Sequence, residues 1–123
     1  MARSVRHVIA IVDDDPGVRD ALRFLLETAG HQVEAYESAL RFLADGDLAR
    51  VACLVLDQRM PHLTGLDLLA CLRSRGVATP TLLVVSTPAR EVSRRAAELG
   101  ALRVLEKPLA RDDLVAEIGA ALA

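Results

Sequence analysis

Aromatic residues are nearly missing from this sequence. Its 123 residues include two Phe, one Tyr and no Trp, 2% in all. A stacked aromatic cage is therefore a poor basis for its function. A basic surplus is missing too: 15 Lys and Arg stand against 17 Asp and Glu, for a formal net charge of −2. A duplex-binding domain normally carries that surplus, so this segment is not expected to bind nucleic acid directly. Cysteine is sparse. Cys53 and Cys71 lie in apolar contexts with no CxxC spacing and no histidine at ligand spacing. Both read as reduced packing residues, which points to a cytoplasmic protein. Long hydrophobic runs are absent, and segments such as Val8–Val12 are far too short to span a bilayer. No membrane association is expected. Met1-Ala2-Arg3-Ser4 leads straight into a strand-like segment, with no signal peptide visible. Linkers, repeats and low-complexity stretches are missing, so residues 1–123 read as one domain.

Aliphatic residues are plentiful. The chain is 52% hydrophobic, enough to build a core without disulfides or a structural metal. Short apolar runs alternate with amphipathic stretches. His7–Val12 reads as a buried strand. Pro16 sits where a first helical turn accepts it, Val18, Leu22, Leu25, Leu26 and Ala29 follow at helical spacing, and Gly30 stops the helix. Val33–Tyr36 is a second strand, and Ser38 caps a helix carrying Leu40 and Leu43 through about Asp45. Ala52–Leu56 is a third strand ending at Asp57. The loop Gln58–Thr64 leads to a helix with Leu66, Leu69, Ala70 and Leu72 as its stripe, ended by Gly76. Thr81–Val85 is a fourth strand, Glu91–Leu99 a helix, Leu102–Leu105 a fifth strand and Arg111–Leu122 a last helix. Five βα units predict an α/β fold with a doubly wound, five-stranded parallel sheet. Sites in such sheets form at the carboxyl ends of the strands.

Those ends carry the chemistry. Asp13, Asp14 and Asp15 follow the first strand, Asp57 the third, Ser86 and Thr87 the fourth, and Glu106, Lys107 and Pro108 the fifth. Each alone has a plainer reading as a turn former, cap or loop residue, and Asp15 before Pro16 fits an N-cap. The combination is more specific. The ends of the first, third and fifth strands are expected to be neighbours, which gathers Asp13, Asp14 and Asp57 opposite Lys107. Clustered carboxylates raise one another's pKa. Mg²⁺ prefers oxygen ligands, needs few carboxylates and leaves room for phosphate oxygens. Such a site suits phosphoryl transfer, which depends on positioning and charge stabilisation, with a strand-end Asp as nucleophile.

The residues Ile11-Val12-Asp13-Asp14-Asp15, Asp57-Gln58-Arg59-Met60-Pro61 with Gly65, Gly100-Ala101 and Glu106-Lys107-Pro108 resemble the CheY-like receiver domains of two-component response regulators. The Asp-x-Arg-Met-Pro form resembles the FixJ type. The resemblance covers the chain and implies that Asp57 is the phosphoacceptor. It implies that Asp14, Asp57 and the backbone carbonyl of Arg59 hold Mg²⁺, with Asp13 contributing directly or through water. Lys107 is implied to meet the phosphoryl oxygens, and the Lys107–Pro108 bond to be cis. A sensor histidine kinase is the implied donor. A DNA-binding output domain outside this segment and a homodimer on phosphorylation are further implied partners.

Two positions depart from that pattern. The hydroxyl residue at the end of the fourth strand falls, counting back from Lys107, on Val85. Ser86 takes that role if the next loop is one residue shorter, with Thr87 as fallback. The aromatic three residues before the lysine is Val104 here. Arg59 reads as a surface side chain, or alternatively as an ion-pair partner of Glu91 or Asp15. His62 reads as surface, and Arg90, Arg94, Arg95 and Arg103 as a solvated face interspersed with Glu91 and Glu98.

Three rival functions can be weighed. A dehalogenase-like phosphatase needs a second carboxylate two residues after its nucleophile, where this chain has Arg59. A flavodoxin-like flavin binder needs a Ser/Thr/Gly-rich phosphate loop, where this chain has Asp13–Asp15. A degenerate receiver that works by partner binding alone is the third, motivated by Val85.

Overall fold

The structure, a computed structural model, describes residues 8–123. The strand start at His7 and the reading of Met1–Ser4 lie outside the described residues. Ten elements alternate: β1 (Val8–Val12), α1 (Pro16–Thr28), β2 (Gln32–Tyr36), α2 (Ala39–Asp45), β3 (Val51–Asp57), α3 (Gly65–Ser74), β4 (Thr81–Val85), α4 (Arg90–Glu98), β5 (Arg103–Glu106) and α5 (Arg111–Leu122). The strands form one parallel sheet in the order β2-β1-β3-β4-β5.

Period-2 alternation divides the core into two layers. Ala10 and Val12 of β1 join Phe42, Leu68, Leu69, Leu72 and Ala96 under α2, α3 and α4. Ile9 and Ile11 join Leu22, Leu26, Leu114 and Ile118 under α1 and α5. All five residues of β1 are 0% exposed, which is why its sequence runs apolar without alternation.

Two helix faces differ from expectation. The α3 face against the sheet is Gly65, Leu68, Leu69 and Leu72, while Leu66 and Ala70 are only partly buried. In α2, Ala39 and Phe42 are buried and Leu40 is 55% exposed. In each case several apolar residues fit a stripe, and the rotation of the helix on the sheet selects among them. The β3 strand also runs one residue further than expected, taking in Asp57 as its last residue. β2 begins at Gln32 and α4 at Arg90, each one residue earlier than expected, and β5 is displaced by one to Arg103–Glu106.

Several devices hold the strand ends and helices in place. Gly30, Gly76 and Gly100 follow α1, α3 and α4 at positive φ, a conformation that costs an L side chain about 1–2 kcal/mol. The Arg73 guanidinium donates to the carbonyls of Val77 at 2.9 Å, Thr79 at 3.2 Å, Leu99 at 2.7 Å and Gly100 at 3.4 Å. It thereby ties the C-terminal ends of α3 and α4 together.

The start of α3 is set by contact with β3. Gly65 donates its N–H to the Gln58 carbonyl at 3.1 Å, and Thr64 with Asp67 forms a capping box. A Cβ on Gly65 would lie 2.7 Å from the Asp57 carbonyl oxygen and 2.7 Å from Leu83 Cδ1. Gly65→Ala is expected to cost about 2 kcal/mol by overpacking. Urea unfolding checks this, and an unchanged midpoint would show that α3 can move off β3 at no cost.

Candidate functional site

The chain reverses its direction of winding between β1 and β3, and this switch point is where doubly wound sheets place ligands. Asp13 follows β1 directly and is 2% exposed. Its N–H donates to the Tyr36 carbonyl at 3.1 Å. Its Oδ1 accepts from the Asp15 N–H at 2.9 Å, and its backbone carbonyl accepts from Arg19 Nη1 at 2.7 Å. Asp15 caps α1, accepting from the Gly17 and Val18 N–H groups, as Asp before Pro suggested. Asp14 between them is exposed.

Asp57 is 4% exposed. Lys107 Nζ lies 3.1 Å from its Oδ1 and 3.3 Å from Asp13 Oδ2. The expectation that β5 neighbours β3 needs correction: β4 lies between them. Lys107 follows β5 with its N–H bonded to the Val85 carbonyl at 2.8 Å, and its long side chain spans the end of β4. The Lys107–Pro108 bond is cis, as expected.

Burial and the charge of Asp13 push the Asp57 pKa above its ordinary value, against the opposing pull of Lys107; Asp14 adds a further push upward. Burial of the Lys107 ammonium pulls its own pKa down, yet contact with Asp57 and the charge of Asp13 outweigh this and leave it raised. Both groups are thus held as an ion pair in partial shelter from water. The ammonium nevertheless approaches Asp57 Oδ1 off the hydrogen-bonding direction, so that buried oxygen has a counter-charge but no donor.

Asp13, Asp14 and Asp57 each offer a carboxylate oxygen, all within 4.8 Å of one another. An all-oxygen set with one underused buried oxygen fits a hard divalent cation. The carboxylates, rather than a histidine or thiol, decide that preference.

The other candidates lie around this centre. Val85 is the last residue of β4, opposite Glu106, and is 6% exposed within the apolar core. Ser86 is exposed just beyond it. It borders a groove with Lys107, Pro108 and the α1 residues Val18, Ala21 and Leu22. Ser86 and Thr87 also border a cleft of about 380 Å³ with Gln58, Arg59, Thr64 and Val85. Arg59 is exposed, and its suggested partner Glu91 is instead paired with Arg94. Arg94 also meets Glu98 at 2.6 Å and Arg103 meets Glu117 at 3.1 Å, the solvated face expected of these arginines. His62 is exposed with φ 71°. Arg19 is the site residue that sequence reasoning missed. Its spacing of six from Asp13 becomes informative only once Pro16 fixes where the helix starts.

Residues 9–119 match the response regulator receiver domain family. The chain belongs to this family. The receiver domain is 36% identical over 114 residues to the transcriptional regulatory protein FixJ of Azorhizobium caulinodans, covering 93% of this chain and 54% of that protein. It is 36% identical over 115 residues to the response regulator protein TodT of Pseudomonas putida strain F1, covering 94% of this chain and 51% of that one. The receiver domain thus spans about half the length of these relatives. The crystal structure of FixJ-N superposes with a TM-score of 0.84 at 30% identity, over 94% of this chain and 93% of that one. The fold is the five-stranded CheY-like, flavodoxin-like fold. Among the described residues, no helix is long and apolar enough to cross a membrane.

The raised pKa of Asp57 has a thermodynamic sign. Its carboxyl ionises less readily in the fold than in the unfolded chain. The stability it contributes is therefore complete below the ordinary Asp value of 3.8, and is lost as pH rises through the higher folded-state value. Asp57→Asn removes that buried charge and leaves Lys107 paired with Asp13. At pH 7 without Mg²⁺ the variant is expected to melt about 4 °C higher, the shift that about 1 kcal/mol gives in a domain of this size. The advantage should shrink on acidification. Thermal melts from pH 4 to pH 8 test this, and a variant that melts lower at pH 7 would refute it.

Proposed function

We propose that this receiver domain accepts a phosphoryl group on Asp57 from the phosphohistidine of a sensor histidine kinase, in an Mg²⁺-dependent reaction. The observation that carries the reading is the buried Asp57 carboxylate, 3.1 Å from the Lys107 ammonium and grouped with Asp13 and Asp14 within 4.8 Å. An Asp57 oxygen would form the new P–O bond as the P–N bond to the donor histidine breaks. Lys107 would follow the charge onto the phosphoryl oxygens, keeping Asp13 as its second partner. Asp14, Asp57 and the Arg59 backbone carbonyl would hold Mg²⁺, with Asp13 contributing directly or through water. The chemistry supplied by the bound cation is neutralisation of carboxylate and phosphoryl charge. Ser86 would meet the phosphoryl group from the end of β4.

The domain serves signalling rather than acting as a classical enzyme. Self-phosphorylation from a small phosphodonor and loss of the phosphoryl group are its proposed reactions. Its relatives are named as transcriptional regulatory and response regulator proteins. A cytoplasmic location, a DNA-binding output domain outside this segment, control of transcription and a homodimer on phosphorylation follow as parts of the proposal. With Val104 in place of an aromatic, the readout would run through the backbone of residues 86–91 and α4.

A second reading is favoured by one observation: the hydrophobic Val85 occupies the end of β4. In that reading the domain is degenerate and acts by partner binding. Intact mass after incubation with acetyl phosphate separates the two. The expected result is one added phosphoryl group that requires both Mg²⁺ and Asp57, and that disappears in Asp57→Asn. No adduct on a folded wild-type domain would favour the degenerate reading.

A further inference from the structure

Arg19 stands one turn inside α1, with its N–H bonded to the Asp15 carbonyl at 3.0 Å. Helical side chains lean toward the N-terminus, which returns its guanidinium over the acidic loop. There Nη1 donates to the Asp13 carbonyl at 2.7 Å, a short, charge-assisted bond. That carbonyl belongs to the peptide joining Asp13 to Asp14. The other polar groups of Asp13 are held by Tyr36, Asp15 and Lys107. The Asp14 side chain has no hydrogen bond or ion pair among the described residues, and it is exposed. The orientation of its carboxylate toward Asp57 thus depends on the peptide that Arg19 holds.

We infer that Arg19 is a positioning residue for the Asp13–Asp14–Asp57 metal site: it fixes the Asp13–Asp14 peptide so that the Asp14 carboxylate faces the buried pair. The inference rests on the Mg²⁺ reading above. Two effects of Arg19 oppose each other. As a positive charge near the carboxylates it disfavours a cation, and as an anchor it favours one by preorganising a ligand. Arg19 pairs with no carboxylate among the described residues and instead bonds a backbone carbonyl, so the anchoring effect dominates. Losing an outer partner of a metal ligand weakens binding about tenfold or more.

The sign of the change provides the test. Mg²⁺ alone is titrated calorimetrically into the wild-type chain, Arg19→Met and Arg19→Gln, with melting temperatures taken in the absence of Mg²⁺ as a check on folding. Positioning predicts about tenfold weaker binding in Arg19→Met and partial recovery in Arg19→Gln, which keeps a donor without the charge. Equal or tighter Mg²⁺ binding by both variants would overturn the inference alone. No Mg²⁺ binding by the wild type would overturn the metal reading and the inference with it. If Arg19→Met fails to fold, Arg19→Lys replaces it. A lysine keeps the charge with a different reach, so weaker binding supports positioning and unchanged binding overturns it.

Discussion

Asp57 and Asp13 are two carboxylates buried side by side at the end of a sheet, 4% and 2% exposed, and the fold must compensate for holding them there. Neither would be stable in isolation, since burial and mutual repulsion both disfavour the charged forms. Lys107 offsets part of that cost by contacting both at 3.1 and 3.3 Å. The compensation is incomplete, because one Asp57 oxygen still lacks a donor. A buried carboxylate oxygen left without a donor favours the approach of further positive charge.

The surrounding architecture serves that arrangement. β1 and β3 are adjacent strands inside the sheet, so the two carboxylates stand at the ends of largely buried strands. Gly65 lets α3 begin against the Asp57 carbonyl. The Asp15 cap starts α1 beside the acidic loop, and Arg19 ties the helix back to Asp13. On the far side, Val85 and Val104 lie in one apolar cluster with Val92 of α4. Helix α4 therefore rests on aliphatic packing, with no aromatic side chain at the position of Val104.

Much of this was legible along the chain. Apolar runs bounded by Gly and Pro marked all ten elements to within about a residue, because continuous burial in a parallel sheet leaves little ambiguity. The cluster of acidic residues and lysine could be read because every member stands at a strand end. The amphipathic helices were harder. Leu66 and Ala70 of α3, and Leu40 of α2, fit a helical stripe as well as Leu68 and Ala39 do. Only the angle at which each helix meets the sheet chooses among them.

By itself, the sequence determined the order of elements, the parallel sheet and the identity of the charged groups at its rim. These follow from local periodicity, turn chemistry and the simple rule that strand ends share one edge. Tertiary structure decided which of those groups touch. Lys107 reaches Asp57 across an intervening strand, and Arg19 folds back onto the Asp13 carbonyl. Both contacts depend on strand order, helix rotation and side-chain reach, and neither distance is written in the spacing of residues along the chain.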